Sequence, residues 1–265
     1  MKLGIIRGYD EAAFEYVKNM GLDFIECCRN STPEADDFTA KVESTKANIA
    51  KYGIPIQSVG RWNPLVNISG KLDDAEMKSM ENLLDAAIAV GSPVYVCGIN
   101  YAEDVSLYKN YCAAVEYFGR LIERAKASGS GIKVAVYNCD WGNFVHRDTV
   151  WDVVLGELED LWIKYDCSHA YNRGQDYLSE LSNWGHRIAH FHIKGTVKTN
   201  SGKHVDDPPA GMDDIAWGSV FAILYARGYN GGLSLEPHSA TWRANSELGQ
   251  KGIEYAIKFT RQFML

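Results

Sequence analysis

Short apolar runs that end in a polar residue recur along this chain of 265 residues. The three clearest are residues 161–169 (LWIKYDCSH), 188–195 (IAHFHIKG) and 231–238 (GGLSLEPH). Such a run is typical of a strand buried on both faces, as in a parallel sheet, and its polar end marks where the chain leaves the sheet. Runs of the same kind predict five earlier strands, at residues 2–6, 24–28, 54–60, 93–99 and 133–138.

Helical patterns separate these strands. Apolar residues at helical spacing, with glycine or proline at the ends, predict one helix after each strand, and Asp10 is a candidate N-cap of the first. The polar segment 196–214 is a candidate lid over a site, or else a rigid surface loop or subunit contact. The predicted helices cover residues 10–19, 36–52, 73–90, 105–128, 149–155 and 176–183, a stretch after the loop that ends at residue 227, and residues 247–263.

Eight consecutive strand and helix units predict parallel strands joined by right-handed crossovers. The economical closure of such a chain is a (β/α)8 TIM barrel, so we expect an α/β protein with a single domain over residues 1–265. A doubly wound open sheet is the alternative. It has less support because no glycine-rich dinucleotide fingerprint follows the first strand.

Composition narrows the classes of partner. The net charge of −7 argues against nucleic acid, whose binding proteins usually carry a basic face. Six cysteines without Cys-x-x-Cys spacing suggest reduced thiols in a cytoplasmic protein. The N-terminal stretch is too short in its apolar part for a signal peptide, and no run approaches the length of a membrane span. We therefore expect a soluble cytoplasmic protein with no membrane partner.

In a TIM barrel the active site lies at the carboxyl ends of the strands. Asp166, His192 and Glu236 end three consecutive predicted strands, so we expect their side chains to converge. Two carboxylates and one imidazole suit a hard divalent ion such as Mn²⁺, Mg²⁺ or Co²⁺. Such an ion can hold two adjacent sugar oxygens and stabilise the enediolate that forms when a neighbouring carboxylate removes a proton beside a carbonyl.

The seventh strand carries further candidates. Alternation along it places His190, His192 and Lys194 on one face. His192 sits where the strand ends and is the better ligand, whereas His190 could be a ligand or a hydrogen-bonded core residue. Polar residues also end the other strands: Arg7, Glu26, Arg61 to Asn63, Asn100, Tyr137 and Asn138.

The spacing Asp166-x-x-His169, the motif HFHIKG and the motif LSLEPH resemble the xylose isomerase-like superfamily of barrels. The chain is most similar to the sugar phosphate isomerase/epimerase branch, which includes ketose 3-epimerases and inosose dehydratase. The resemblance covers essentially the whole chain, including the opening IIRGYDEAAFEYVKNMGLDFIE. It implies a divalent-metal-dependent isomerase or epimerase that acts on a small-molecule carbohydrate through an enediolate.

The resemblance also implies roles for individual residues. Asp166, His192 and Glu236 match metal ligands, and Glu236 also matches the carboxylate that transfers the proton. His169 matches a histidine that contacts substrate oxygens, and Lys194 is a further candidate for proton transfer. By their position near the barrel mouth, four residues are candidates for substrate binding: Arg7, Trp62, Trp141 and His238.

One position departs from the family pattern. Many members end the fifth strand in Ala-Leu-Glu-Asn, whose glutamate is the fourth metal ligand and the second acid/base of two-base epimerisation. Here that position holds Tyr137. The fourth ligand could be Asn138, a neutral oxygen donor, or His146, as in the dehydratase branch, or Tyr137 itself. With Glu236 as the one strong base, reactions that need one main base are favoured: aldose–ketose isomerisation, or β-elimination or hydration beside a keto group. His169, Lys194 or Tyr137 could protonate the leaving or accepting oxygen of the substrate.

Other functional classes stay open to different degrees. A non-catalytic sugar-binding subunit is compatible with the altered position. An apurinic endonuclease of the same superfamily is disfavoured, because seven histidines and an acidic charge suit neither a multi-zinc cluster nor a DNA-facing rim. A glycine-rich phosphate cradle is lacking, which slightly favours a free sugar or a glycoside. Homo-oligomers are common in the family, and the sequence does not define the oligomeric state here.

Overall fold

The protein is described by a computed structural model that covers residues 1–243 and 245–265. Eight parallel strands pair in chain order and close into a barrel, which confirms the predicted (β/α)8 fold. The strands are β1 (Lys2–Ile6), β2 (Ile25–Arg29), β3 (Ile56–Arg61), β4 (Val94–Cys97), β5 (Lys133–Tyr137), β6 (Trp162–Asp166), β7 (Ile188–Ile193) and β8 (Gly232–Leu235).

The strands are apolar because both of their faces are covered. Every residue of β4, β7 and β8 is buried, with one face toward the barrel interior and the other toward the helices. The register then sets which polar ends lie side by side. Asp166 of β6 lies opposite His192 of β7, and Ser234 of β8 lies on the other side of His192. Glu236, two residues later, therefore follows β8 at the same end of the barrel.

Ten α-helices lie within the described residues, and most of them match the predicted ones within two or three positions. Asp10 caps the first helix as predicted, because its side chain accepts a hydrogen bond from the backbone N–H of Ala13. The helices are α1 (Glu11–Asn19), α2 (Thr32–Ala40), α3 (Val42–Tyr52), α4 (Asp74–Ala89), α5 (Leu107–Ala127), α6 (Asp148–Glu157), α7 (Cys167–Asn172), α8 (Tyr177–Trp184), α9 (Trp217–Ala226) and α10 (Glu247–Arg261).

Two helix predictions are wrong in detail. The single helix expected over residues 36–52 is two helices, because Ser31 caps an earlier start and the backbone at Lys41 leaves the helical region. The short helix α7 was not predicted at all, since its residues were counted as the end of a strand. No helix of the described chain combines the length and the apolar character that crossing a membrane requires.

The predicted loop 196–214 contains a short antiparallel pair, Val197–Lys198 with His204–Asp206. The segment that follows packs on α10. A Cβ atom on Gly211, whose φ is +97°, would lie 2.6 Å from the ring of Phe259, so only glycine fits this approach. The C-terminal part of the loop is therefore packed against the barrel.

Candidate metal and substrate site

Asp166, His192 and Glu236 converge as the sequence predicts. One donor atom from each lies within 4.8 Å of the other two. Asp166 and His192 are fully buried, whereas the side chain of Glu236 keeps 19% of its surface exposed. The three residues thus form a compact set of ligand-type groups that opens to the barrel mouth through Glu236.

Asp166 owes its orientation to the helix that follows it. Its Oδ1 caps α7 by accepting hydrogen bonds from the backbone N–H of Ser168 at 2.8 Å and from the Ser168 hydroxyl at 2.7 Å. Its Oδ2 is buried without a hydrogen-bond donor among the described residues. One turn of α7 brings His169 back toward the same carboxylate, with Nε2 3.5 Å from Oδ2. The Asp-x-x-His spacing is therefore a cap and the first turn of a helix.

Glu26 lies behind the ligand set, at 0% exposure on β2. Its carboxylate accepts hydrogen bonds from His190 Nε2 at 2.8 Å and from His192 Nε2 at 2.9 Å. These bonds leave His192 Nδ1 facing the mouth, 2.9 Å from Glu236 Oε2 and 3.9 Å from Asp166 Oδ2. Metal-binding histidines commonly donate their second ring nitrogen to a carboxylate in this way.

Glu26, His190 and His192 form a second group with ligand-type atoms within 4.8 Å of one another. All three are fully buried, and the Glu26 carboxylate is bonded to both imidazoles. His190, which the sequence left open, is thus a hydrogen-bonded residue of the barrel interior. The sequence placed Glu26 at a strand end but gave it no role, because its partners lie 164 and 166 residues further along the chain.

Lys194 lies among the ligand-type groups. Its ammonium is 3.2 Å from Asp166 Oδ2 and 3.6 Å from Glu236 Oε2, and it donates a hydrogen bond to His169 Nε2 at 3.2 Å. Burial alone would lower the pKa of Lys194, but the two carboxylates outweigh burial and raise it. Lys194 therefore stays protonated and bridges two of the three proposed ligands.

Charge pairing decides the protonation of the site. Burial opposes the charge of Asp166, yet its neighbours, Lys194 above all, lower its pKa to about 2. The pKa of Glu236 is likewise held well below its usual value against burial, chiefly by Lys194. Burial, followed by the charge of Lys194, lowers the pKa of His169 to about 3. At neutral pH the two carboxylates are ionised and His169 is neutral.

These residues fit a divalent ion. The donor set contains two carboxylate oxygens and an imidazole nitrogen, and Glu26 fixes the ring of His192. Asp166 Oδ2 forms no hydrogen bond within the described residues and faces the charged ammonium of Lys194. The fit has one complication, because the Lys194 ammonium lies beside the same carboxylate oxygens. An ion would compete with this ammonium for Asp166 and Glu236.

A family model described as a xylose isomerase-like TIM barrel matches residues 14–263. The chain belongs to this family. The superfamily resemblance drawn from the strand-end motifs is thereby confirmed. No curated protein matches the sequence at a significant level.

Solved structures share the fold of this xylose isomerase-like barrel over nearly its whole length. D-allulose 3-epimerase from Methylomonas sp. has 17% identity and a TM-score of 0.77, covering 99% of this chain and 98% of its own. The 3-keto-D-glucoside 4-epimerase from E. coli has 17% identity and a TM-score of 0.75, with 99% of both chains covered. A probable 3-DHS dehydratase from Bacillus anthracis has 14% identity and a TM-score of 0.73, with 98% and 99% covered.

Asn138, a candidate for the fourth metal ligand of this xylose isomerase-like site, is held by hydrogen bonds to the backbone. The Asn138 amide donates to the backbone carbonyl of Asp166 at 2.9 Å, and its Oδ1 accepts from the backbone N–H of Asp166 at 2.9 Å. Asn138 thus joins β5 to β6 through both polar atoms of its side-chain amide. His146 belongs to neither group of ligand-type atoms among the described residues, and burial, the largest cause, lowers its pKa to about 4.

Tyr137 is held by packing. Its ring stacks on Trp62 at 5.2 Å with an interplanar angle of 2°, and it lies so close to Gly98 that a Cβ atom there would be 2.5 Å away. Its hydroxyl donates to the carbonyl of Trp141 at 3.0 Å and accepts from the backbone N–H of Asn63 at 3.1 Å. Burial raises the pKa of this phenol. Tyr137 is thus a neutral, fixed wall of the mouth.

The remaining predicted substrate-binding residues lie at the rim with different exposures. Trp62 is nearly buried under its stacking contact, whereas Trp141 is half exposed. His238 Nδ1 lies 3.3 Å from Asp207 Oδ2, so it ties the 196–214 segment to the end of β8. Arg7 stacks its guanidinium on Tyr16 at 3.8 Å, and its buried Nε has no acceptor among the described residues.

Sequence reasoning missed Lys164. It lies on the inner face of β6, two residues before Asp166, and is 1% exposed. Its ammonium is 5.7 Å from the centroid of the Trp62 ring. A usable signal was present, because alternation along the strand places Lys164 and Asp166 on the same face. A lysine inside an otherwise buried strand was treated as part of the run instead of as a group of the site.

Proposed function

We propose that this protein is a divalent-metal-dependent sugar isomerase or epimerase that transfers a proton beside the carbonyl of a ketose or keto-sugar. The observation that carries the proposal is the convergence of Asp166, His192 and Glu236 at the mouth of a xylose isomerase-like barrel. The names of the structural neighbours, which include a D-allulose 3-epimerase and a 3-keto-D-glucoside 4-epimerase, support a carbohydrate substrate.

The ion would be held by Asp166 Oδ2, His192 Nδ1 and a Glu236 oxygen. When bound, it would supply Lewis-acid stabilisation of the negative charge that develops on the substrate oxygens. The donor set favours Mn²⁺, Mg²⁺ or Co²⁺ over softer metals. Glu26 orients His192 from behind, through the hydrogen bond to Nε2.

Glu236 is the proposed base. It is the proposed ligand whose side chain is partly accessible, and its lowered pKa leaves it ionised at neutral pH, as proton abstraction requires. His169 and Lys194 form a hydrogen-bonded pair beside it. We assign this pair to the substrate oxygens, where Lys194 donates to the oxygen that gains charge and His169 positions Lys194.

Tyr137 favours chemistry with one base over two-base epimerisation. Its phenol is neutral, and both hydrogen-bonding directions of its hydroxyl are taken by backbone groups of Trp141 and Asn63. Within the described residues, the position expected for a second acid/base therefore holds no carboxylate. Aldose–ketose isomerisation needs one main base, and so does the second candidate function, β-elimination or hydration on a keto-sugar or keto-glycoside. A probable 3-DHS dehydratase among the neighbours agrees with the second candidate.

The test is product analysis with the purified, Mn²⁺-loaded protein on a panel of ketoses, aldoses and 3-keto-glycosides, each in its neutral form and in phosphorylated and carboxylated forms. We expect conversion of at least one member, with an isomer or an elimination product identified by chromatography. The Glu236→Gln variant should lose this conversion, while Glu247→Gln, at an exposed carboxylate of α10, should keep it. The proposal fails if no member is converted, and it fails equally if Glu236→Gln remains fully active.

A further inference from the structure

Lys164 is a buried lysine without an anionic partner among the described residues. Its residue is 1% exposed, yet among residues 1–243 and 245–265 its ammonium forms neither an ion pair nor a hydrogen bond. Burying an unpaired charge is costly, and natural proteins usually pair such groups. The contact that the structure does give, with the face of Trp62 at 5.7 Å, is weak compensation for a lost hydration shell.

The ammonium is directed into the barrel mouth. The strand register places Lys164 between Tyr137 of β5 and His190 of β7, on the inward face that Asp166 shares. Burial is the largest influence on the pKa of Asp166 and of Glu236 and raises both; the charges of Lys194 and Lys164 contribute to lowering them. Lys164 is thus electrostatically part of the site, although it touches none of the proposed ligands.

Each carboxylate of the described site already has another partner than Lys164. These carboxylates are Glu26, Asp166 and Glu236, and Glu26 is bonded to two histidines while the other two face Lys194. The residue opposite Lys164 on the neighbouring strand β5 is the neutral Tyr137. The part of the mouth beside Tyr137 is therefore cationic in this chain, and a bound divalent ion would add further positive charge.

We propose that Lys164 binds an anionic group of the substrate, a carboxylate or a phosphate, so that the substrate is an acidic carbohydrate instead of a neutral sugar. This inference rests on the proposed function and defines the substrate class of the same site. The substrate anion supplies the partner that the described residues do not provide, and a charge-assisted hydrogen bond forms in a place from which water is largely excluded.

Binding of three matched, achiral ligands tests the inference without turnover. Dihydroxyacetone is neutral, hydroxypyruvate carries a carboxylate, and dihydroxyacetone phosphate carries a phosphate. We expect calorimetry on the Mg²⁺-loaded protein to show that one of the anions binds at least about tenfold more tightly than dihydroxyacetone. The carboxylate and phosphate arms identify which anion the site takes.

Variants assign the preference to Lys164. The Lys164→Met substitution should abolish it, and Lys164→Arg, which retains the charge, should preserve much of it. Lys133→Met is the matched control, because Lys133 also packs on an indole, at 3.4 Å from Trp162, but at the opposite end of the barrel. Circular dichroism establishes that each variant is folded.

Two outcomes overturn the inference: the three ligands bind equally or not at all, or folded Lys164→Met keeps the preference for the anion. Failure of the proposed function has a different signature. In that case the anion preference and its loss in Lys164→Met are observed, but no carbohydrate of the panel is converted. Conversion of a neutral sugar without any anion preference would contradict the inference alone.

Discussion

At the scale of single residues, Glu236 has the most demanding task, because it is both a proposed ligand and the proposed base. We expect Glu236→Gln to lower kcat by about a thousandfold, the range expected when a general base is lost. Steady-state kinetics on the converted sugar would measure this, together with the metal content of the variant. A loss of less than about tenfold, with metal retained, would remove Glu236 from the role of base.

Lys194 is expected to oppose metal binding. Its ammonium lies 3.2 Å from Asp166 Oδ2 and 3.6 Å from Glu236 Oε2. A cation bound to the same two oxygens would lie near this ammonium, and like charges repel strongly at short range in a buried site. Lys194→Met should therefore bind Mn²⁺ at least about tenfold more tightly than the native protein, as measured by electron paramagnetic resonance. Lys133→Met serves as control, and unchanged or weaker Mn²⁺ binding by Lys194→Met would contradict the expectation.

The sequence predicted some residues of the site and not others, for physical reasons. Asp166, His192 and Glu236 could be found because each ends an apolar run, and in parallel strands such ends meet. Lys164 and Glu26 act through partners on other strands, so their roles depend on register, which a single sequence does not show. Asn138 has the right chemistry for a ligand, but its amide is used in joining two strands.

At the scale of elements, the 196–214 segment contains a carboxylate, Asp213, whose pKa is raised in the folded protein. Burial, the dominant cause, raises the pKa of Asp213 to about 6, although its oxygens accept hydrogen bonds from the backbone N–H of Gly211 and from Trp217 Nε1. Because the folded-state pKa exceeds the unfolded value, Asp213 stabilises the fold at low pH. That contribution is lost as the pH rises from about 4 to about 6.

Over this pH range the contribution of Asp213 to the free energy of unfolding falls by about 2 kcal/mol, once the partial exposure of its side chain is allowed for. We expect the native protein to lose more stability between pH 4 and pH 7 than the Asp213→Asn variant, as measured by urea unfolding at a series of pH values. Asp152→Asn, at an exposed position of α6, should behave like the native protein. Parallel pH profiles for Asp213→Asn and the native protein would show that Asp213 does not titrate in this window.

The helices and strands were predictable where the spacing of apolar residues agrees with the residues that end an element. The eight strands and most helices follow from apolar runs, helical spacing and glycine stops. The split of α2 from α3 escaped prediction because it depends on the Ser31 cap and on the backbone at Lys41. Helix α7 escaped because it begins directly at a strand end, where the Asp166 carboxylate is both its cap and a proposed metal ligand.

At the scale of the whole molecule, the barrel brings together two carboxylates that are 210 residues apart in sequence, Glu26 and Glu236, on either side of His192. A divalent ion that binds the folded barrel and not the unfolded chain must stabilise it by mass action. We expect EDTA to lower the melting temperature and abolish conversion, and Mn²⁺, Mg²⁺ or Co²⁺ to restore both. Asp166→Asn should show little shift of the melting temperature with metal, and a shift equal to that of the native protein would exclude Asp166 as a ligand.

If Glu236 removes a proton beside a substrate carbonyl, that proton exchanges with solvent. Incubation of the Mg²⁺-loaded protein with sugar in D₂O, followed by NMR of the recovered sugar, measures this exchange. We expect deuterium at the carbon next to the carbonyl of a sugar from the panel, and none with Glu236→Gln. Absence of deuterium from every sugar, or equal incorporation by the native protein and Glu236→Gln, would contradict this role of Glu236.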